Sequence, residues 1–171
     1  MGKARGMVLL AVALVLAACS GASWKKMYRA PSYAPPDRLT IYLSVDPELK
    51  EVEGLDEAVY AMLEALQERL AEEGVDAKLE SRTGMYLRHP RLELFVREWD
   101  PGSRAARYWV GFGAGKAKAV IDCYVVPGAD NRPSFSGRLE ATLSGGAFGG
   151  DSSGASEAAG AKIARTVLDP P

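Results

Sequence analysis

Lys116-Ala-Lys-Ala-Val-Ile-Asp-Cys-Tyr-Val125, followed by Phe135-Ser-Gly-Arg-Leu-Glu-Ala-Thr-Leu-Ser144, decides the fold. Ala117, Ala119, Ile121, Cys123 and Val125 alternate with Lys116, Lys118, Val120, Asp122 and Tyr124. Phe135, Gly137, Leu139, Ala141 and Leu143 alternate with Ser136, Arg138, Glu140, Thr142 and Ser144. A period of two over this length is that of strands with one buried face. Between them Pro127-Gly-Ala-Asp-Asn-Arg-Pro133 is rich in turn formers, so the pair reads as a hairpin. Gly111-Phe-Gly-Ala-Gly-Lys116 and Gly145-Gly-Ala-Phe-Gly-Gly150 bracket it.

Working outward, Leu39, Ile41, Leu43 and Val45 alternate with Thr40, Tyr42 and Ser44, and Asp46-Pro47 ends that strand. Leu55, Val59, Met62, Leu63, Leu66 and Leu70 recur at helical spacing over Leu55–Glu73, with Gly74 as the stop and Asp56 and Glu57 suiting the first turn. Val75, Ala77 and Leu79 make a short strand. Leu92, Leu94 and Val96 form the buried side of another, with Glu93, Phe95, Arg97 and Trp99 opposite. Ala155, Ala159, Ile163 and Val167 stripe a final helix over Ser153–Leu168. The order β-α-β-β-β-β-α predicts an α+β domain over 38–171, with both helices on one face of a five-stranded, mostly antiparallel sheet. The other face would present Tyr42, Phe95, Trp99 and Tyr124 among charged residues. Such a face either stays wet, its aromatics strengthening strand pairing, or docks a partner.

The totals bound the function. A chain of 171 residues sets a prior of one domain, and 47% hydrophobic with 25% charged residues is ordinary for a globular core. Without residues 1–18 the chain carries 19 basic against 22 acidic residues, too balanced for a binder of phosphate backbones, so no nucleic-acid partner is expected. One cysteine lies in the leader and one mid-strand, which leaves no disulfide framework.

Lys3 and Arg5 precede an apolar run from Met7 to Ala18, 12 residues long, against the ~20 needed to span a bilayer. The run ends Leu16-Ala-Ala-Cys19 and resembles the lipobox of bacterial lipoproteins, in which the signal (1–18) is removed and the cysteine carries palmitate-type acyl chains. The competing reading is an ordinary cleaved signal with an incidental Cys19. Myristoylation fails because Gly6 stands where Ser or Thr is required. Ser20 follows the cysteine where an inner-membrane lipoprotein would have Asp, so the resemblance implies an outer-membrane anchor with the domain facing the periplasm. Residues 19–37 read as a flexible tether, Pro31, Pro35 and Pro36 favouring extended chain. Trp24, Lys25, Lys26, Tyr28 and Arg29 either lie in solvent or rest on headgroups.

The motifs that suggest chemistry fail on context. Gly111-x-Gly-x-Gly-Lys116 leads into a strand, whereas phosphate loops open helices, and Ala117 stands where Ser or Thr would hold magnesium. As an RNA-recognition submotif it lacks the required aromatics. Gly150-Asp-Ser152-Ser-Gly154 matches a nucleophile elbow, but the sole histidine, His89, lies upstream of the serine, where the elbow family has it downstream. A single histidine and Cys123 cannot make a zinc site, so no metal, cofactor or catalytic activity is expected.

Arg107-Tyr-Trp-Val-Gly-Phe-Gly-Ala-Gly-Lys116 and Ser144-Gly-Gly-Ala-Phe-Gly-Gly150, followed by the alanine-rich helix, resemble a family of uncharacterised Gram-negative lipoproteins, the domain of unknown function numbered forty-four ten. The family implies no catalytic residue. The element order is also similar to that of the amino-terminal domain of the Tol propeller protein, the curli-secretion lipoprotein and the activator lipoproteins of penicillin-binding proteins, all of which bind proteins. The expectation is a non-catalytic interaction or assembly module whose envelope partner and oligomeric state the sequence leaves open. The alternative is a small-ligand or glycan-binding module.

Overall fold

The computed structural model describes residues 20–81, 89–102, 117–128, 131–143 and 153–170. Residues 1–18 (expected to be a signal), Cys19 and both glycine-rich runs lie outside the described residues. The strands are β1 (Ser20–Arg29), β2 (Arg38–Val45), β3 (Asp76–Leu79), β4 (Arg91–Asp100), β5 (Ala117–Val126) and β6 (Phe135–Leu143). The helices are α1 (Leu55–Glu72) and α2 (Ser153–Leu168), with a 3-10 turn at Pro47–Leu49.

The strands form one six-stranded sheet in the order β1-β6-β5-β4-β2-β3. β1, β6, β5 and β4 pair antiparallel, while β2 runs parallel to both β4 and β3. The sheet is therefore mixed and has six strands, where five mostly antiparallel ones were expected. The parallel part follows from connections long enough to carry the chain back: α1 separates β2 from β3, and a parallel neighbour needs a crossover of that kind.

The sixth strand occupies part of the expected tether. Ala22 and Trp24 pack against the core, and Trp24 meets Phe135 edge-on at 5.7 Å. The pairing with β6 shifts register between Lys25 and Tyr28, where Lys26 adopts φ 50°. That bulge interrupts the alternation by which a strand is recognised. The proline-rich residues after β1 are pinned as well. The Tyr33 hydroxyl, its pKa pushed up to about 12 by burial, donates to the Val167 carbonyl, and Arg29 donates to the Pro170 carbonyl at 2.8 Å. The folded domain thus includes residues 20–37.

Both helices cover one face, as expected. Leu66 and Leu70 of α1 and Ile163 and Val167 of α2 enclose a core with Leu39, Ile41, Leu92, Leu94 and Leu139 of the sheet. Gly160 lets the helices touch: a Cβ there would lie 2.1 Å from the Met62 carbonyl oxygen. Gly137 leaves room for Trp24, whose ring would lie 2.9 Å from a Cβ at that position.

The uncovered face of the sheet as the candidate functional site

Among the described residues no helix packs on the opposite face, and the outward positions of β4, β5 and β6 meet there. Asp122, at the centre of β5, pairs with Arg138 of β6 and, one strand over, with β4. Its carboxylate accepts from Arg138 Nε at 2.6 Å and Nη2 at 2.9 Å, and from Arg97 Nε at 3.0 Å. Those bonds, the Arg138 ones foremost, hold its pKa below the usual carboxylate value against the opposing effect of burial. Two half-exposed guanidiniums thus share one buried carboxylate, and Glu140, two residues along β6, acts on Arg138 as well.

Phe95 lies beside this cluster. The Arg97 guanidinium sits over its ring at 5.3 Å, and its ring meets Tyr124 edge-on at 5.8 Å. Arg91, Glu93, Phe95, Arg97, Tyr124 and Asn131 are among the residues lining a shallow basin of about 240 Å³. Arg91 donates through Nε to Glu93 at 2.6 Å and through Nη2 to Asn131 at 3.0 Å, while its buried Nη1 meets no acceptor.

Of the four aromatics expected to share this surface, Phe95 and Tyr124 do. Trp99 does not. The β4–β5 pairing shifts between Val96 and Glu98, so Glu98 faces outward opposite Val120 and pairs with Lys118, and Trp99 turns to the helix side. There it is 9% exposed and packs with Leu55, Ala58 and Val96. A one-residue slip moves every later side chain to the other face, which is the physical cause of the correction. Tyr42 is on the expected face but 6% exposed, among Glu80, Arg91 and Glu93; burial first and Glu80 second raise its pKa. It cannot offer its ring to a partner. Arg97, Asp122 and Arg138 were not singled out in the sequence. The available signal was an aspartate at the middle of a strand, outward between Val120 and Tyr124.

Elsewhere the concave features are of other kinds. A cleft of about 30 Å³ under Trp99, between Met62 and Ile121, is the size of a single water. A groove of about 600 Å³ follows the outer seam of the helices, floored by Ala61, Ala65, Ala158 and Ala161 and edged by Glu64 and Glu157. Among the described residues no group of three or more His, Cys, Asp or Glu could hold a metal, and no helix is long and apolar enough to cross a membrane. His89 is exposed, and Ser152 lies outside the described residues. Cys123 is buried inward, and burial pushes its thiol pKa up.

No curated protein matches the sequence significantly. Among solved structures, the PelC dodecamer from Paraburkholderia phytofirmans is similar over 86% of this chain and 98% of its own, at 13% identity and a TM-score of 0.57. A single-substitution variant of the same protein gives 15% identity and a TM-score of 0.52 over the same shares. A minor lipoprotein from Acinetobacter baumannii aligns over 75% of this chain and 91% of its own, at 11% identity and a TM-score of 0.44. At these identities the likeness is one of fold. The family model described as Domain of unknown function (DUF4410) matches residues 26–161, and the chain belongs to that family.

Proposed function

We propose that the chain is a lipid-anchored lipoprotein of the bacterial outer membrane, its domain facing the periplasm as a non-catalytic interaction or assembly module. The supporting observation is the composition of the uncovered face. Arg97 and Arg138, both half-exposed, flank Asp122, and Phe95 and Tyr124 stand beside them. Arginine and aromatic side chains are the types enriched where proteins meet. The leader ending in Leu16-Ala-Ala-Cys19 supports the anchor. Because the PelC structures are of a dodecamer, further copies of this chain are the first partner to test.

The test is in-envelope crosslinking of the acylated protein, comparing wild type with Arg97→Glu combined with Tyr124→Ala. Loss of the crosslinked species, with membrane attachment and thermal unfolding preserved, is the expected result. An unchanged pattern of crosslinked species would remove the uncovered face from the function.

A second reading, small-ligand or glycan binding, is favoured by the basin that Arg91, Arg97 and Asn131 help to line. A carboxylated oligosaccharide should then bind in calorimetry with one site per chain, and Arg91→Lys should weaken it. Absence of heat at millimolar ligand would dispose of this reading.

A further inference from the structure

β1 begins at Ser20, the residue after the cysteine of the leader, and so abolishes the spacer that the sequence suggested. Ser20 pairs with Leu143, the last residue of β6, which in turn pairs with Ala117, the first of β5. Lys118 pairs with Asp100, the last residue of β4, and β2 runs parallel to β4 with Val45 opposite Val96. One end of the sheet therefore collects Ser20, Asp100, Ala117 and Leu143, together with the exit of β2 and the start of α1. The opposite end holds Arg29, Phe135 and Asp169, because Arg29 pairs with Phe135 and bonds to Pro170 at the end of α2.

We infer that the acyl chains on Cys19 are joined to the sheet with no linker, so that the end carrying Ser20 and Lys118 stands against the phospholipid headgroups and the strands run away from them. This rests on the anchored reading above. An acylated cysteine lies at headgroup depth, and Ser20 follows it across one peptide, about 3.8 Å between Cα atoms. Ser20 cannot leave the surface without unpairing from Leu143.

The described residues of this end supply no basic cluster for electrostatic adhesion. Among the described residues this end carries Asp46, Glu48, Glu51, Glu53 and Asp100 against Lys50 and Lys118, and Lys118 is already bonded to Glu98 at 2.6 Å. Basic clusters are what an anionic lipid surface attracts. The covalent joint is therefore what sets the orientation. Its consequence is that the uncovered face, with Phe95, Arg97 and Tyr124, points sideways in the plane of the membrane, where it meets neighbours and not lipid.

The test uses the full acylated chain in vesicles of phosphatidylethanolamine and phosphatidylglycerol containing a headgroup spin-labelled lipid. A fluorophore is placed at Lys118→Cys or Asp169→Cys. Native Cys123 is buried, which leaves the introduced thiol as the site of labelling. Quenching should be at least about threefold stronger at position 118, since the two positions are ~20–25 Å apart along strands rising ~3.3 Å per residue. A ten-residue Gly/Ser spacer placed after Cys19, serine first, should bring the two values together. Equal quenching in a protein whose mass shows the acyl chains would refute the inference and leave the anchor standing. A difference that survives the spacer would refute it too, by making the surface itself the cause. A mass without acyl chains would remove the anchor and this inference together.

Discussion

Arg97 is the residue on which the uncovered face turns. As the extra residue of the β4 bulge it lets Phe95, Arg97 and Glu98 all face outward and sends Trp99 into the core. It reaches Asp122 from one side as Arg138 does from the other. The Asp122 carboxylate is held below its ordinary value of 3.8 by those bonds, so the pairing contributes its full stability above that value. The contribution is lost as the pH falls through the depressed value. Asp122→Asn should cost about 1.5–3 kcal/mol at neutral pH, the range for hydrogen bonds to charged groups. In thermal unfolding the gap to wild type should close as the pH falls below 3.8 and through the depressed value. A gap independent of pH would mean that the carboxylate charge is not what binds the arginines. Phe95 and Tyr124 were legible because alternation assigns faces. Trp99 was not, because a bulge is a property of two strands and the sequence of one does not declare it. The depth of Tyr42 was equally hidden: its face follows from period two, but its burial depends on Glu80, Arg91 and Glu93, contributed by neighbouring strands.

At the scale of elements, α1 was the plainest element in the sequence and the structure places it over Leu55–Glu72. Its stripe is core: Leu66 and Leu70 are fully buried. Leu66→Ala should cost about 2–5 kcal/mol in denaturant unfolding, with a near-neutral result implying that α1 packs loosely on the sheet. What the stripe does not disclose is how close the two helices come. Gly160 sets that distance, and a methyl at 2.1 Å from the Met62 carbonyl oxygen has nowhere to go without parting the helices. Gly160→Ala should lower stability by about 1–3 kcal/mol, the cost of overpacking, despite alanine's better helix propensity. Gly154, whose Cβ would meet nothing within 4 Å, is the control: Gly154→Ala in the same helix should be neutral or mildly stabilising. β1 is the opposite case to α1. As an edge strand it has one paired neighbour and one partly buried stripe, Ala22 and Trp24, and its bulge spoils the pattern before a third inward residue appears.

For the whole molecule, the decisive question is where the folded unit begins. The sequence reading started it at Arg38, because prolines and scattered charges separate that point from the leader. The structure carries it back at least to Ser20 and closes it by contacts between residues far apart in the chain: Trp24 against Phe135, the Tyr33 hydroxyl on the Val167 carbonyl, Arg29 on the Pro170 carbonyl. Long-range closure of this kind leaves no periodic trace, since each partner reads locally as an isolated aromatic or base. A chain starting at Arg38 would still contain every element of the β-α-β-β-β-β-α order. It should nonetheless lose more than about 3 kcal/mol relative to a chain starting at Ser20, because removing Trp24 alone empties a site of core size. It should also aggregate, since β6 would become an unprotected edge with Leu139 and Ala141 exposed along its inner side. Calorimetry and light scattering on the two chains decide it: equal melting temperatures and equal solubility would restore residues 20–37 to the role of a linker. A lower melting temperature with concentration-dependent scattering would make β1 the closing strand of the sheet and the guard of its β6 edge.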